Sequence, residues 1–517
     1  MPEAASSDVT LRPACEADCQ RLWEWRNDPM ARAVSFHCEP ISYEEHQRWF
    51  AQKLRDPSLR IFIVLDAHGE AVGYVRFNIA GPQAEISVAL DHRQRGKGYG
   101  AVAIQRAAEH LLRTGAAQRI VAQIRPDNPA SLRAFQRAGF LVRPPPSELG
   151  RDTWEAIYEG RPMTGGPVLI RVEAGPSIGL GHLQRSLSLA SALRRLNTPC
   201  VFLTNDEPAV RERLGRFGFE SEMVHSVQTG DVEDAKRTVA FALARGCQAV
   251  VVDSDQEGAE FLSRLRAAGL FVCAIEDLAP HPFPCHMVVN GDAHAGRLRY
   301  LSSSGDTHFL LGPAYCILRE ELWVVPSRAV REIPQHVLVM LGGNDPHHLM
   351  PGLLQVVGAL PKILTVTAVI GPFFDHVREI EQVVGGLPWP VKLVYAPDSV
   401  CELMMKADLA VSAGGQTLYE LARVGCPTIA MRTAANQDGQ LAVLEELGVI
   451  QCMGRAEDGQ LLAAVDKALH RLLADPQARS SMSQAGQRLV DGQGALRVAR
   501  ALGAASARAQ RVHAVVG

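Results

Sequence analysis

Along residues 9–160 the apolar positions change period repeatedly, and each change marks an element. Residues 9–13 alternate and predict a first strand. Leu22, Trp23 and Trp25 have helical spacing within residues 18–27, and Pro29 ends that run because proline disfavours helix in the residue before it. Ser42-Tyr-Glu-Glu45 is a capping box opening a second helix with His46, Trp49 and Phe50. Residues 61–65 and 71–77 alternate again around the turn Asp66-Ala-His-Gly69, which predicts a hairpin. A strand over 84–90, a helix over 101–114, a strand over 119–124 and a last strand over 154–157 complete this part.

From residue 166 the pattern becomes short apolar runs alternating with helical stretches. Strands are predicted at 168–172, 200–203, 249–253, 270–275 and 287–290, then at 336–341, 364–370, 391–395, 409–412 and 428–431. Apolar runs of this length, separated by helices, imply parallel sheets covered on both faces. A break in the pattern near 323–333 divides them into two doubly wound halves. Upstream, Pro144-Pro-Pro146 and the glycines and prolines of 158–167 mark a linker. The expected organisation is therefore three segments, 8–162, 166–328 and 329–517.

Composition narrows the function classes. A net charge of −3 lacks the basic bias of a nucleic-acid binder. The 11 cysteines are scattered without a Cys-x-x-Cys pair, which points to reduced, structural thiols, and no zinc is expected. His347-His348 has no carboxylate or cysteine at ligand spacing, so no metal is expected there either. The polar, acidic N-terminus does not read as a signal peptide. No apolar run approaches the roughly 20 residues that span a bilayer. A cytoplasmic enzyme without membrane insertion is the expectation.

Candidate chemistry lies at strand-to-helix turns. In open parallel sheets ligands bind beyond the carboxyl ends of strands, where helix N-termini and free amides suit phosphate. Gly175-Pro-Ser-Ile-Gly179-Leu-Gly181-His182-Leu-Gln-Arg185 follows the strand 168–172, and its imidazole is suited to act as a base near neutral pH. Asp253 ends another strand. In the second half, Gly342-Gly343-Asn344-Asp345 and Ser412-Ala-Gly414-Gly415-Gln-Thr417 are two such turns, with Glu420 one helical turn on. These suit a nucleoside diphosphate, amides taking phosphate and the carboxylate taking ribose hydroxyls. In the first segment, Arg93-Gln94-Arg95-Gly96-Lys97-Gly98-Tyr99-Gly100 again links strand to helix, with Arg95 and Lys97 as countercharge for a pyrophosphate.

That last loop, with Asn128, Ser131 and Ala138-Gly-Phe140 downstream, resembles the GNAT acetyltransferases over about residues 9–145. The resemblance implies an α+β domain, acetyl-CoA as co-substrate, its pyrophosphate on residues 93–100, its pantetheine along Val88–Leu90, and Asn128 and Ser131 at the cofactor. Glu85 is then the candidate base, with an exposed strand charge as the alternative. A tyrosine acid common in the family is replaced by Phe135. Trp23-Glu-Trp-Arg26-Asn27 and the 41–50 stretch resemble the subgroup that acetylates the 4-amine of a UDP-4-amino-sugar, which would place Arg26, His46 and Trp49 near the sugar nucleotide; the tryptophans are otherwise core residues.

Residues 166–500 resemble GT-B-fold enzymes, the 413–417 turn, Glu420, Gly425-Cys-Pro427, Asn436 and Gln437 matching the donor-binding half. The 178–185 loop, the 312–321 stretch with Tyr315 and Arg319, and the 342–345 turn resemble the UDP-sugar hydrolase of pseudaminic acid synthesis and its spore-coat relatives. That resemblance implies His182 as the base activating water at the anomeric carbon, with UDP leaving. Asp253-Ser-Asp-Gln256 departs from the Asp-His-Tyr-Gly common there. The fold class expected is α/β: a GNAT domain, then a GT-B-like pair of Rossmann-like domains. The function expected is bifunctional: N-acetylation of UDP-4-amino-4,6-dideoxy-N-acetyl-β-L-altrosamine, then hydrolysis of UDP from the diacetamido product. A GT-B glycosyltransferase using a UDP-sugar donor, or a hydrolase for a related UDP-sugar, is the alternative for the second part.

Overall fold

The computed structural model describes residues 9–143, 153–158, 166–175, 178–224, 230–254, 258–360 and 365–516. The Pro144–Pro146 linker, the Pro176 and Ser177 of the glycine loop, and Asp255 and Gln256 lie outside them. Two compact units divide the chain, Met1–Pro162 and Met163–Gly517.

The first unit is a mixed sheet of β1 (Thr10–Pro13), β2 (Leu59–Leu65), β3 (Ala71–Ala80), β4 (Gln83–Leu90), β5 (Arg119–Ile124), β6 (Leu141–Arg143) and β7 (Trp154–Tyr158), in the order β1-β2-β3-β4-β5-β7-β6. Helices α1 (Cys19–Asn27), α2 (Pro29–Ala33) and α3 (Tyr43–Lys53) precede β2, while α4 (Tyr99–Arg113) and α5 (Pro129–Arg137) flank β5. The helix expected from residue 18 opens on a 3-10 turn instead, because the buried Asp18 carboxylate takes the Cys15 amide at 2.8 Å and Arg12 at 2.7 Å. Ala103, Ile104, Ala107, Ala108 and Leu111 of α4 meet Val75, Phe77 and Ile86 in one core. Leu22, Trp25 and Phe50 cover Ile61, Ile63 and Tyr74 in another.

The second unit holds two sheets that are parallel throughout. The first contains β8 (Val168–Val172), β9 (Cys200–Asn205), β10 (Glu220–Val224), β11 (Ala249–Asp253), β12 (Phe271–Ile275), β13 (Met287–Asn290) and β14 (His308–Leu311), ordered β10-β9-β8-β11-β12-β13-β14. The second contains β15 (His336–Met340), β16 (Thr365–Ile370), β17 (Val391–Tyr395), β18 (Leu409–Ala413), β19 (Thr428–Arg432) and β20 (Ile450–Arg455), ordered β17-β16-β15-β18-β19-β20. These are the two doubly wound halves that the pattern implied, and together the GT-B-like pair of Rossmann-like folds expected from the resemblance. In each sheet the strand order reverses once, between β8 and β11 and between β15 and β18, and ligands bind at such reversals. Helices α6 (Gly181–Arg195) and α7 (Pro208–Arg216) follow β8 and β9. The last helix, Gly494–Val516, returns to the first half: Ala495, Leu496, Val498, Ala499 and Leu502 pack in the core of β8 and α6. Its Gly494 permits this approach, since a Cβ there would lie 2.0 Å from the Cys316 carbonyl oxygen.

Candidate active sites

In the first unit β4 and β5 pair only through Gln83, Ala84 and Glu85. Beyond Glu85 the strands part, so residues 86–90 leave one backbone edge unpaired. Val88 and Leu90 lie on it, and the exposed Glu85 sits where the strands diverge. A V-shaped gap of this kind admits an extended, amide-bearing arm.

The loop after β4 is built for close approach. Gly96 (φ 80°) and Gly98 (φ 90°) take left-handed conformations, and Gly98 caps α4, whose first residues are Tyr99 and Gly100. A Cβ on Gly100 would come within 3.3 Å of the Leu90 side chain. The charges are less free than expected. Arg93 bonds Asp91 at 3.2 Å, and the exposed Lys97 bonds Gln94 at 2.9 Å. Arg95, expected as countercharge, bonds Asp28 at 2.8 Å and the Leu90 carbonyl at 3.2 Å, so it staples the loop and its charge is offset. Asn128 caps α5 by accepting the Ser131 amide at 3.1 Å, which leaves its side-chain NH2 for a ligand. Phe135 is core, edge-on to Phe140 at 5.0 Å, and supplies no acid.

On the α1–α3 side, His46 is buried with its ring 5.6 Å from Trp49, and burial lowers its pKa. Arg76 lies over Trp49 at 5.8 Å. Arg26 donates to the His37 carbonyl at 2.8 Å.

In the second unit the first-half site forms at the strand reversal. Gly179 (φ 83°) turns the chain after β8, and α6 begins at Gly181. His182 lies in its first turn, with Nδ1 3.7 Å from Oδ1 of the fully buried Asp253 at the end of β11. Arg185, one turn further, binds Asp253 at 2.7 Å and Asp277 at 2.9 Å, and Ser186 donates to Asp253 at 3.0 Å. Asp292, after β13, is pushed up to about 7 by burial and by Asp277. Asp277 and Asp292 were missed from the sequence, although each lies two residues beyond a strand end.

The second half brings its 342–343 turn up to this loop. A Cβ on Gly343 would lie 3.3 Å from the Leu180 amide nitrogen, a tight approach that shows how closely the two loops meet. Asn344 follows, and the buried Asp345 caps the next helix through the Leu349 and Met350 amides at 3.0 and 2.8 Å. Gly414 and Gly415 lead into the helix Thr417–Val424. Ser412 is fully buried and donates to the Ala413 carbonyl at 3.1 Å. Gln437 braces the turn below by accepting the Thr433 amide at 2.8 Å; Asn436 is exposed. The buried Glu420 accepts from Arg319 at 2.6 Å, so ribose would have to share this carboxylate. Tyr315 lies in a short turn packed on the first-half core.

One group among the described residues brings three potential metal-ligand atoms within 4.8 Å: His348, Asp375 and His376. Proximity supplies the carboxylate that the spacing around His347-His348 lacked. The His348 and His376 rings stack at 4.1 Å and 14°, a geometry that does not converge their lone pairs on one point. His376 bonds Asp345 at 3.1 Å and Asp375 at 2.9 Å, tying together the segments after β15 and β16.

Residues 8–141 match the acetyltransferase (GNAT) domain family. The chain is 24% identical over 280 residues to the uncharacterized protein MJ1062 of Methanocaldococcus jannaschii, covering 51% of this chain and 55% of that protein. It is 26% identical over 200 residues to the spore coat polysaccharide biosynthesis protein SpsG of Bacillus subtilis, covering 38% of this chain and 58% of that one. The chain thus spans just over half the length of these relatives. A solved structure of spermidine N-acetyltransferase from Vibrio cholerae with CoA and spermine is 22% identical, covering 29% of this chain and 94% of that one at a TM-score of 0.27. The chain joins a GNAT acetyltransferase domain to a C-terminal region similar to SpsG. Among the described residues no helix is long and apolar enough to cross a membrane.

Proposed function

We propose that the chain carries out two successive steps on one sugar nucleotide. In the first unit acetyl-CoA lies in the gap between β4 and β5 with its pyrophosphate at residues 93–100. The 4-amine of UDP-4-amino-4,6-dideoxy-N-acetyl-β-L-altrosamine attacks the thioester carbonyl, Glu85 takes the amine proton through water, and the C–S bond breaks to release CoA. Arg26, His46 and Trp49 are the residues on the sugar side.

In the second unit His182 takes a proton from water as the oxygen attacks the anomeric carbon. The bond from that carbon to the diphosphate oxygen breaks, and UDP leaves with the electron pair. Asp253 lies beside the ring that takes this proton. The turns at 342–345 and 414–417 receive the nucleotide. The observation that carries this reading is His182 in the first turn of α6, 3.7 Å from buried Asp253, on a loop that meets the second-half glycine turn.

The test supplies the full-length protein with acetyl-CoA and the UDP-amino-sugar in oxygen-18 water. Label on the released sugar is expected; label on the phosphate would contradict the step at carbon. Persistence of the UDP-sugar in water, with consumption only when an acceptor sugar is added, would make the second unit a glycosyltransferase. His182→Ala should slow UDP release by about 10²-fold or more while acetyl transfer persists.

A further inference from the structure

Arg213, in α7, lies outside every motif discussed above. Its guanidinium donates to Gln184 at 2.7 Å, two residues beyond His182 on α6, and reaches the Asp398 carbonyl of the second half at 3.5 Å. Its Nε is buried without a hydrogen-bond partner. Arg319 and Glu420 are close enough to act on it electrostatically: burial first, and then Arg319, lower its proton affinity, while Asp398 and Glu420 oppose this.

Arg213 bonds no carboxylate of its own. Glu420 is spent on Arg319, and the Asp398 and Glu212 carboxylates are both taken by Arg216. Arg213 receives only an amide oxygen and a backbone carbonyl. Its guanidinium is thus paired with neutral groups alone and keeps one buried, unbonded N–H, which is costly unless an anion completes the set. The position fits such an anion. Gln184 belongs to the helix that carries the proposed base, and Glu420 to the helix that opens at the 414–417 turn.

We propose that Arg213, together with Arg319, grips the diphosphate of the bound sugar nucleotide from the first-half side of the cleft. This rests on the nucleotide-binding reading of the second unit. Guanidinium-to-phosphate bonds are charge-assisted and favour two oxygens at once, so the pair selects a diphosphate over a monophosphate or a bare nucleoside.

The test is calorimetric titration of UDP, UMP and uridine into the full-length protein and its variants. In Arg213→Ala, UDP should bind about tenfold or more weakly, UMP less affected and uridine unchanged. Arg213→Lys should recover part of the loss. Arg216→Ala, which removes a neighbouring contact between the halves, should leave UDP affinity within about threefold. A purely packing role for Arg213 would weaken all three ligands alike or none, and either result overturns the proposal while nucleotide binding stands. Wild-type protein that binds neither UDP nor UMP overturns both.

Discussion

Asp292 is a carboxyl of the second unit whose ionisation is strongly displaced by its surroundings. Burial, followed by repulsion from Asp277, raises it to about 7, against Arg185 and a Tyr419 hydrogen bond that act the other way. The folded chain therefore binds this proton more tightly than the unfolded chain. Its contribution to stability falls as pH rises from the ordinary carboxylate range to about 7, then stays constant. Asp292→Asn keeps an acceptor for Tyr419 and removes the titration. The melting temperature of the variant should exceed that of the wild type at pH 8, and the difference should shrink towards pH 4. A difference independent of pH would show that the carboxyl does not titrate there. Asp18 shows the opposite sign: Arg12 holds its carboxyl down at about 2, so that pair's stabilisation persists until strongly acid pH.

At the scale of elements, loops rather than strands set the site. Gly371, just after β16, lies so close to the 342–343 turn that a Cβ would be 2.4 Å from the Gly343 oxygen and 2.5 Å from the Gly342 oxygen. Gly371→Ala must push that turn away, costing about 1–3 kcal/mol of stability as overpacking does elsewhere. Thermal melting should show the loss, and UDP titration should show weaker binding although residue 371 is not in the proposed nucleotide contacts. Unchanged affinity would mean that the turn does not bind the ligand. The elements themselves were largely legible. Each strand expected after residue 166 is present, because buried parallel strands are continuous apolar runs. The strands not anticipated there, β10, β14 and β20, are all at sheet edges. Glu220–Val224 and Ile450–Arg455 are only partly buried, so they carry polar residues and lack that signature.

For the molecule as a whole, two units with their own cores predict two activities that can be lost separately. Gly98→Ala forces a side chain into a left-handed conformation at the α4 cap, costing about 1–2 kcal/mol locally. It should weaken acetyl-CoA binding and slow acetyl transfer, while UDP release from the pre-acetylated substrate continues at the wild-type rate. The His182 variant should show the converse. Loss of both activities from either substitution would mean that the units do not work independently.

Periodicity yielded the strands and helices of the first unit and the two parallel sheets of the second, and residue type the glycine turns, since burial and backbone freedom leave direct marks on residue choice; the α+β assembly of the first unit came from its resemblance to the GNAT acetyltransferases. The place of His182, Glu420 and the turns at strand ends was legible for the same reason. What the sequence could not hold was who meets whom. Asp253 is 71 positions from His182 in the chain and becomes its neighbour only because β8 and β11 adjoin where the strand order reverses. The binding of Arg95 to Asp28, of Glu420 to Arg319, and the isolation of Arg213 likewise arise from packing. Charge is written in the residues, but whether it is spent or left over depends on distances that only the folded chain creates.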